Sequence, residues 1–394
     1  MPTRATPDLR PGDLVAVTLP PGQGWAGILT KVWEAGAALF PVDHRFPPPQ
    51  ARDMIDRAAP TVLLDPDGWH RLGSGRPVGN GVALVVQTSG TGGVPKLVQF
   101  DRPAIDAAVA SSTLALEASP HDRWLCCLPL AHVGGLLVVL RSVLLGAPVT
   151  VHPRFDPRTV AAEGDTAFVS LVPTMLARLL DAHADLSHFR AILVGGARVP
   201  APLADRARAE GANVIETYGL TESCGGVVYE GRPLPGTEVR IDADGGIQLR
   251  GPTVMRGYLD DPEATERAFT DGGWLRAGDG GWIDAQGRLR VAGRLDDLIN
   301  TGGERVWPEE VEAVLNDHPG VADVAIVGRP DPEWGQLVVA YVVPADRAAP
   351  PSLESLRDHV ARTLPRYMAP RHLVLVPQGL PRTASGKVRR AALA

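Results

Sequence analysis

Cysteine is scarce in this chain. Cys126, Cys127 and Cys224 are the only three in 394 residues. Two are adjacent and none forms a C-x-x-C pair, which argues against a zinc site or a disulfide framework and leaves core packing for Cys126–Cys127. Such usage fits a reducing cytoplasm. Positive charge is not in excess either. The net charge is −6, so a general nucleic-acid-binding surface is not expected. Long apolar runs are missing. The most membrane-like stretch, Val133 to Val151, is broken by Arg141, Gly146 and Pro148, and reads as a buried helix followed by a strand. The arginines near the N-terminus have no apolar run behind them, so no signal peptide is expected. What is plentiful is Gly (43) and Pro (37), spread along the chain, which favours many defined turns over long helices. At about 150 residues per domain the length allows two or three folded units.

From Asp13 the pattern alternates strand and helix. DLVAVTLP, ALFPVD, TVLLD and VALVVQ read as strands, with helices GWAGILTKVWEAG and PPQARDMIDRAAP between them. WLCCLPL, APVTVH, FVSLVP, AILVGG and NVIETYG continue the series. Apolar β-branched runs separated by helical segments indicate parallel βαβ units. After about Glu230 the segments TEVRID, GGIQLRG and GRLRVAG alternate and carry glycine turns, which reads as a small antiparallel β-subdomain. Beyond Arg294 a compact α+β unit follows, with a helix opened by Pro308 and closed before Pro319. The expected fold is α/β: a large N-terminal domain (1–294) of βαβ-built sheets with a small β-subdomain, then a small mobile α+β C-terminal domain (295–394).

Two lysine-bearing loops stand out at opposite ends of the chain. QTSGTGGVPK runs from Gln87 to Lys96, and PRTASGK from Pro381 to Lys387. Glycine lets backbone N–H groups approach phosphate oxygens, and lysine adds a point charge. The first loop follows the strand VALVVQ, as expected for a ligand at a strand's C-terminal end. It is not a G-x-x-x-x-G-K-[ST] loop, because Lys96 follows Pro95 and no Ser/Thr follows it. The hydroxyls of Thr88, Ser89 and Thr91, with the N–H groups of Gly90, Gly92 and Gly93, are candidates to hold β- and γ-phosphates.

With these loops the chain resembles the adenylate-forming superfamily of acyl- and aryl-CoA synthetases, luciferases and peptide-synthetase adenylation domains. The resemblance covers nearly the whole chain, with motifs in the family's order. TSGTGGVPK is similar to the family's phosphate loop, with Gly93 where Thr or Ser is usual and Leu97 where Gly often follows. YGLTE is similar to the segment holding adenine and the metal. The match implies ATP contacts from Tyr218, Gly219 and Thr221, with Thr221 on the α-phosphate and Glu222 on Mg²⁺. Gly195, Gly196 and Ala197 match the segment between adenine and the acyl pocket. Asp279 and Arg294 match the ribose contacts, and Asp296 the hinge between domains. Gly302, Gly303 and Glu304 match the segment lining the thiol channel. Trp334 matches an aromatic that stacks on the thiol donor, against the plain alternative of an edge-strand aromatic. His132 matches a histidine gating the acyl pocket, whose other candidates are Val133, Gly134, Gly135, Pro173, Thr174, Ser223 and Gly225. Lys387 matches the catalytic lysine. Arg389 and Arg390 read as a solvated terminal charge run rather than as contacts to CoA phosphates.

The resemblance implies ATP, Mg²⁺ and CoA, and a small carboxylic acid substrate. The acid attacks the α-phosphorus, and a thiol then attacks the acyl adenylate after the C-terminal domain rotates. Lys387, Lys96, Thr221, Glu222 and His132 would carry the catalysis, through positioning and electrostatics. The region PLAHVGG offers no carboxylate for a substrate amine, which argues against amino acids. No extra segment lies between Arg294 and Gly302, which argues against fatty-acyl-AMP ligases. The chain is short for the superfamily. Compact members with this economy include the o-succinylbenzoate–CoA ligases of menaquinone biosynthesis, to which LPLAHVGGLLVVLRSVLLGAPV and ETYGLTESCGGVVYEGRPLPG are similar. Arg141 is the candidate, by sequence proximity, for that substrate's second carboxylate. Aryl- or medium-chain acyl-CoA ligation is the runner-up, and a non-catalytic adenylate-binding protein the remote alternative. A homodimer is common among relatives. Neither nucleic acid nor membrane is an expected partner.

Overall fold

Residues 8–88, 95–382 and 388–393 are described in a computed structural model of the chain. The described residues divide into two compact units. One draws on residues 8–88, 95–239 and 249–275, the other on residues 240–248, 276–382 and 388–393.

The first unit holds two seven-stranded sheets. In one, Val82–Gln87, Ala38–Pro41, Leu14–Val17 and Val62–Asp65 lie side by side and parallel. Leu14–Val17, Ala38–Pro41 and Val82–Gln87 are buried along their whole length, as central strands covered on both faces must be. Their side chains, with Met54 of the helix Pro48–Ala58, build a core around Phe40, Leu14 and Val85. The sheet departs from a plain βαβ succession at both edges. Gly68–Arg71 turns back against Val62–Asp65, a short polar strand that the sequence pattern does not announce. The glycine-rich loop leads not to a crossover helix but to Leu97–Asp101, antiparallel to Val82–Gln87. Gly257–Tyr258 closes that edge.

The second sheet of this unit sets Val214–Leu220, Ala191–Val194, Phe168–Leu171, Trp124–Cys126 and Val149–Val151 parallel, in that order. Val133–Leu145 forms the expected buried helix and ends on Gly146 in the left-handed conformation. Cys126, Cys127 and Cys224 are buried and unpaired. Burial pushes each thiol up to about 12, as inert core residues require. The other unit's four-stranded sheet, of Glu238–Ile241, Gly246–Arg250, Leu275–Ile283 and Leu289–Arg294, answers to the expected small β-subdomain.

In the other unit, Val321–Asp331 and Gly335–Pro344 form a long antiparallel hairpin. Period-two alternation gives its sheet two apolar faces. Val338, Ala340 and Val342 meet Val311, Leu315, Leu356 and Val360 of two helices. Val339 and Tyr341 on the other face meet Val376 and Leu380.

The buried Phe40 anchors the first sheet. Phe40→Ala is expected to cost about 3–5 kcal/mol, read as a fall in the denaturant midpoint at unchanged m-value. A loss of less than about 1 kcal/mol would contradict the packing described here.

Candidate active site

The strand Val214–Leu220 changes partners part-way along its length. Its first residues run parallel to Ala191–Val194, its last antiparallel to Gly225–Tyr229, and the register shifts between Tyr218 and Gly219. The Gly219 backbone passes so close to the Gly225 carbonyl that a side chain there would collide with it. The 3₁₀ turn Thr221–Ser223 follows directly. Ser223 Oγ accepts the Leu220 N–H at 2.8 Å and donates to the Gly225 carbonyl at 2.9 Å. Ser223 is therefore fully buried and braces the turn, which differs from its expected place in the acyl pocket wall. The turn presents Thr221 and Glu222, and the Met255 N–H donates to the Glu222 carbonyl at 2.8 Å.

Tyr258, which nothing in the sequence singled out, completes this corner. Its hydroxyl donates to Glu222 Oε1 at 2.8 Å. Its ring carries Lys96 Nζ 4.6 Å from the centroid. Among the described residues no ion pair joins Lys96 to Glu222. The carboxylate and the ammonium are thus held near one another through two sides of one phenol. The bases of the glycine-rich loop are tied by Thr88 N–H to the Lys96 carbonyl (2.8 Å) and Lys96 N–H to Thr88 Oγ1 (3.0 Å). Ser89, Gly90, Thr91, Gly92, Gly93 and Lys387 lie outside the described residues.

The other candidates in this unit gather at the carboxyl ends of parallel strands, where open α/β sheets place ligands. Gly195 packs on the Thr217 hydroxyl, and a Cβ built on Gly196 would lie 3.5 Å from Val172 Cγ1, just before Pro173. Gly196, Ala197 and Thr174 are exposed. His132 precedes the helix that starts with Val133, Gly134 and Gly135. One turn into it, Leu137 Cδ1 would lie 2.6 Å from a Cβ on Gly225, which brings the two stretches of the expected acyl pocket together. His132 Nε2 stands 3.9 Å from Oδ2 of Asp43, a buried carboxylate that sequence reasoning missed. Burial alone would raise the Asp43 pKa, but the two-pronged hydrogen bonding of Arg45 (2.8 and 2.6 Å) outweighs it and holds the carboxyl below its ordinary range.

Arg141 lies inside the core. It donates to the Leu137 carbonyl at 2.9 Å and Ser112 Oγ at 2.7 Å, and its guanidinium stacks 3.9 Å from the Trp124 ring centroid. Burial lowers its pKa to about 10, and no carboxylate pairs with it among the described residues.

In the other unit Asp279 and Arg294 face each other across antiparallel strands, with Arg294 Nη1 donating to Asp279 Oδ1 at 3.0 Å. Asp296 is exposed on the 3₁₀ turn Leu295–Asp297. Gly302, Gly303 and Glu304 are exposed at the Ile299–Thr301/Glu304–Val306 hairpin. The Gly302 N–H donates to the Trp334 carbonyl at 2.9 Å. Gly302 has φ +60°, and a Cβ there would sit 2.8 Å from the Trp334 ring. Trp334 occupies the tip of the long hairpin rather than an edge strand, with Arg371 stacked 3.7 Å from its ring centroid. Arg390 departs from the expected solvated charge run: its side chain is 17% exposed and paired with acids.

A family model for AMP-binding enzymes matches residues 73–259, and one for the AMP-binding enzyme C-terminal domain matches residues 310–387. The probable 2-succinylbenzoate–CoA ligase of Mycobacterium tuberculosis is 41% identical over 338 residues, covering 81% of this chain and 85% of that one. The chain belongs to the AMP-binding enzyme family. Among solved structures it is similar to the o-succinylbenzoate CoA synthetase of Bacillus subtilis in complex with its acyl-adenylate intermediate. The TM-score is 0.87 at 30% identity, covering 98% of this chain and 88% of that one. The same Bacillus protein in complex with ATP and magnesium ion gives a TM-score of 0.87 at 30% identity, covering 98% and 90%. Family and fold agree: the chain is an adenylate-forming ligase of mixed α/β architecture. Among the described residues no helix is long and apolar enough to cross a membrane.

Tyr258→Phe removes the hydroxyl from Glu222 and leaves the ring under Lys96. The Mg²⁺ concentration for half-maximal activity is expected to rise about 3–30-fold, with the thermal midpoint within a few degrees of the parent. An unchanged Mg²⁺ requirement would show that Tyr258 does not orient Glu222.

Proposed function

We propose that this enzyme activates 2-succinylbenzoate with ATP and transfers the acyl group to CoA. The observation that carries the reading is the Glu222–Tyr258–Lys96 corner in a chain 41% identical to a probable 2-succinylbenzoate–CoA ligase. In the first step a carboxylate oxygen of the acid attacks the α-phosphorus of ATP, and pyrophosphate leaves. In the second the CoA thiol attacks the acyl carbon, loses its proton, and AMP leaves. Neither step needs a covalent bond to the protein. The chain's task is to place charge where charge builds.

Lys96, Thr88 and the glycine-rich loop take the β- and γ-phosphates in this reading. Thr221 meets the α-phosphate, and Tyr218, Gly219 and Gly195 to Ala197 border adenine. Asp279 and Arg294 meet the ribose. Mg²⁺ is commonly held by one or two carboxylates together with substrate phosphates. Glu222, with a hydroxyl on one oxygen and no cation paired to it among the described residues, fits that role. The ion supplies offset of the polyphosphate charge when bound. Lys387 bridges the attacking carboxylate and the α-phosphate. His132 gates the acyl pocket of Val133 to Gly135, Pro173, Thr174 and Gly225. A division of the chain into 1–294 and 295–394, hinged at Asp296, lets Gly302, Gly303, Glu304 and Trp334 serve the thiol in the second step. A homodimer in the cytoplasm completes the reading.

Turnover with Mg-ATP, CoA and a panel of acids tests it. 2-Succinylbenzoate is expected to give equal amounts of pyrophosphate and CoA thioester, at kcat/KM at least about 100-fold above benzoate and octanoate. Lys387→Ala is expected to lower adenylate formation by about 10²–10³-fold while nucleotide still binds. Turnover with another acid alone would discard the substrate, and no turnover with any acid would discard the ligase.

A further inference from the structure

The second unit holds a half-buried ion cluster that the reaction as described does not use. Arg390, the third residue after Lys387, sits at its centre. Its Nη2 donates to both Glu312 oxygens at 2.7 and 2.8 Å, and its Nη1 to Asp297 Oδ2 at 3.1 Å. Its Nε donates to the Ile326 carbonyl at 3.2 Å, and Glu309 Oε1 lies 3.4 Å from Nη2. Glu312 Oε1 also accepts the Ile326 N–H at 2.8 Å, so arginine, helix Pro308–Leu315 and strand Val321–Asp331 close into one ring. The other flank of the lysine-bearing segment is held as well. Arg382 pairs with Asp323 at 2.6 Å and bridges to Val388, while the Arg389 N–H donates to the Pro381 carbonyl at 2.8 Å.

A partly desolvated ion cluster is a poor source of net stability, because desolvation offsets much of the Coulombic gain. What a guanidinium fork does well is fix geometry. Here it fixes the chain just beyond Lys387 to two places at once, helix Pro308–Leu315 and the turn Leu295–Asp297. That turn contains Asp296. Resting on the reading of Lys387 as the lysine of adenylate formation, we infer that Arg390 is a positioning residue for that step, holding the chain that follows Lys387 to Asp297 and Glu312.

The test separates the two steps in the full-length chain with 2-succinylbenzoate as the acid. Acid-dependent ATP–pyrophosphate exchange reads the first step, and CoA thioester formation from synthetic 2-succinylbenzoyl-AMP reads the second. Arg390→Met is expected to lower kcat for exchange about 10–100-fold, with KM for ATP and the rate of the second step within about 3-fold, because a small misplacement suffices. Arg390→Lys keeps the charge without the fork and should recover part of the loss. Asp297→Asn leaves the Arg390–Glu312 ring in place and should still lower exchange about 3–10-fold. Should Arg390→Met fail to fold, Asp297→Asn decides. Exchange unchanged in these variants, while Lys387→Ala abolishes it, would overturn the clamp and spare the lysine. Equal loss of both steps in Asp297→Asn would also overturn it, as the mark of a structural role. Exchange that survives Lys387→Ala would overturn the reading on which the clamp rests.

Discussion

The active-site corner has to keep a carboxylate and an ammonium close without letting them neutralise each other. In the proposed reading Glu222 and Lys96 serve a metal–polyphosphate complex, which each can do only while it faces the ligand rather than the other. Tyr258 resolves the conflict by meeting the first with its hydroxyl and the second with its ring face. The first unit is arranged to make that possible. Tyr258 pairs with Val98 on the strand that begins directly after Lys96, so one sheet edge carries both. Glu222 arrives from the other sheet, on a turn braced by Ser223 and tied to Met255. The phenol accepts a cation–π contact of modest strength in place of a salt bridge that would have disabled both ions.

The second unit solves a different problem with the opposite means. There a cation and its acids are paired, half-buried and closed into a ring through Arg390, Glu312 and Ile326. A pair left open faces a ligand, whereas a closed pair fixes the backbone around it. Burial pushes Glu309 up to about 7, against the opposing pull of Arg390. Asp279 and Arg294 stand between the two cases. They are joined by a hydrogen bond, and Arg294 stays more than a third exposed.

Much of this was legible in the sequence because it is local. The buried parallel strands follow from β-branched runs. The helix Pro308–Leu315 follows from its proline start. What escaped reading depends on distance along the chain or on burial. Tyr258 lies 36 residues from Glu222, and no local pattern marks it. Asp43 gains meaning only when His132 comes within 3.9 Å. Arg390 sits in a charged, polar tail whose composition signals solvent, and its partners lie as far as 93 residues away. The strand Gly68–Arg71 is too short and polar for alternation to show, because sheet pairing rather than propensity holds it.

The central claim is attack by the acid's own oxygen on the α-phosphorus. It is tested most directly by running the full reaction with 2-succinylbenzoate carrying oxygen-18 in its carboxylates, then weighing the nucleotide and phosphate products. The account predicts one labelled oxygen in AMP and none in pyrophosphate. Unlabelled AMP, or label in inorganic phosphate, would contradict it.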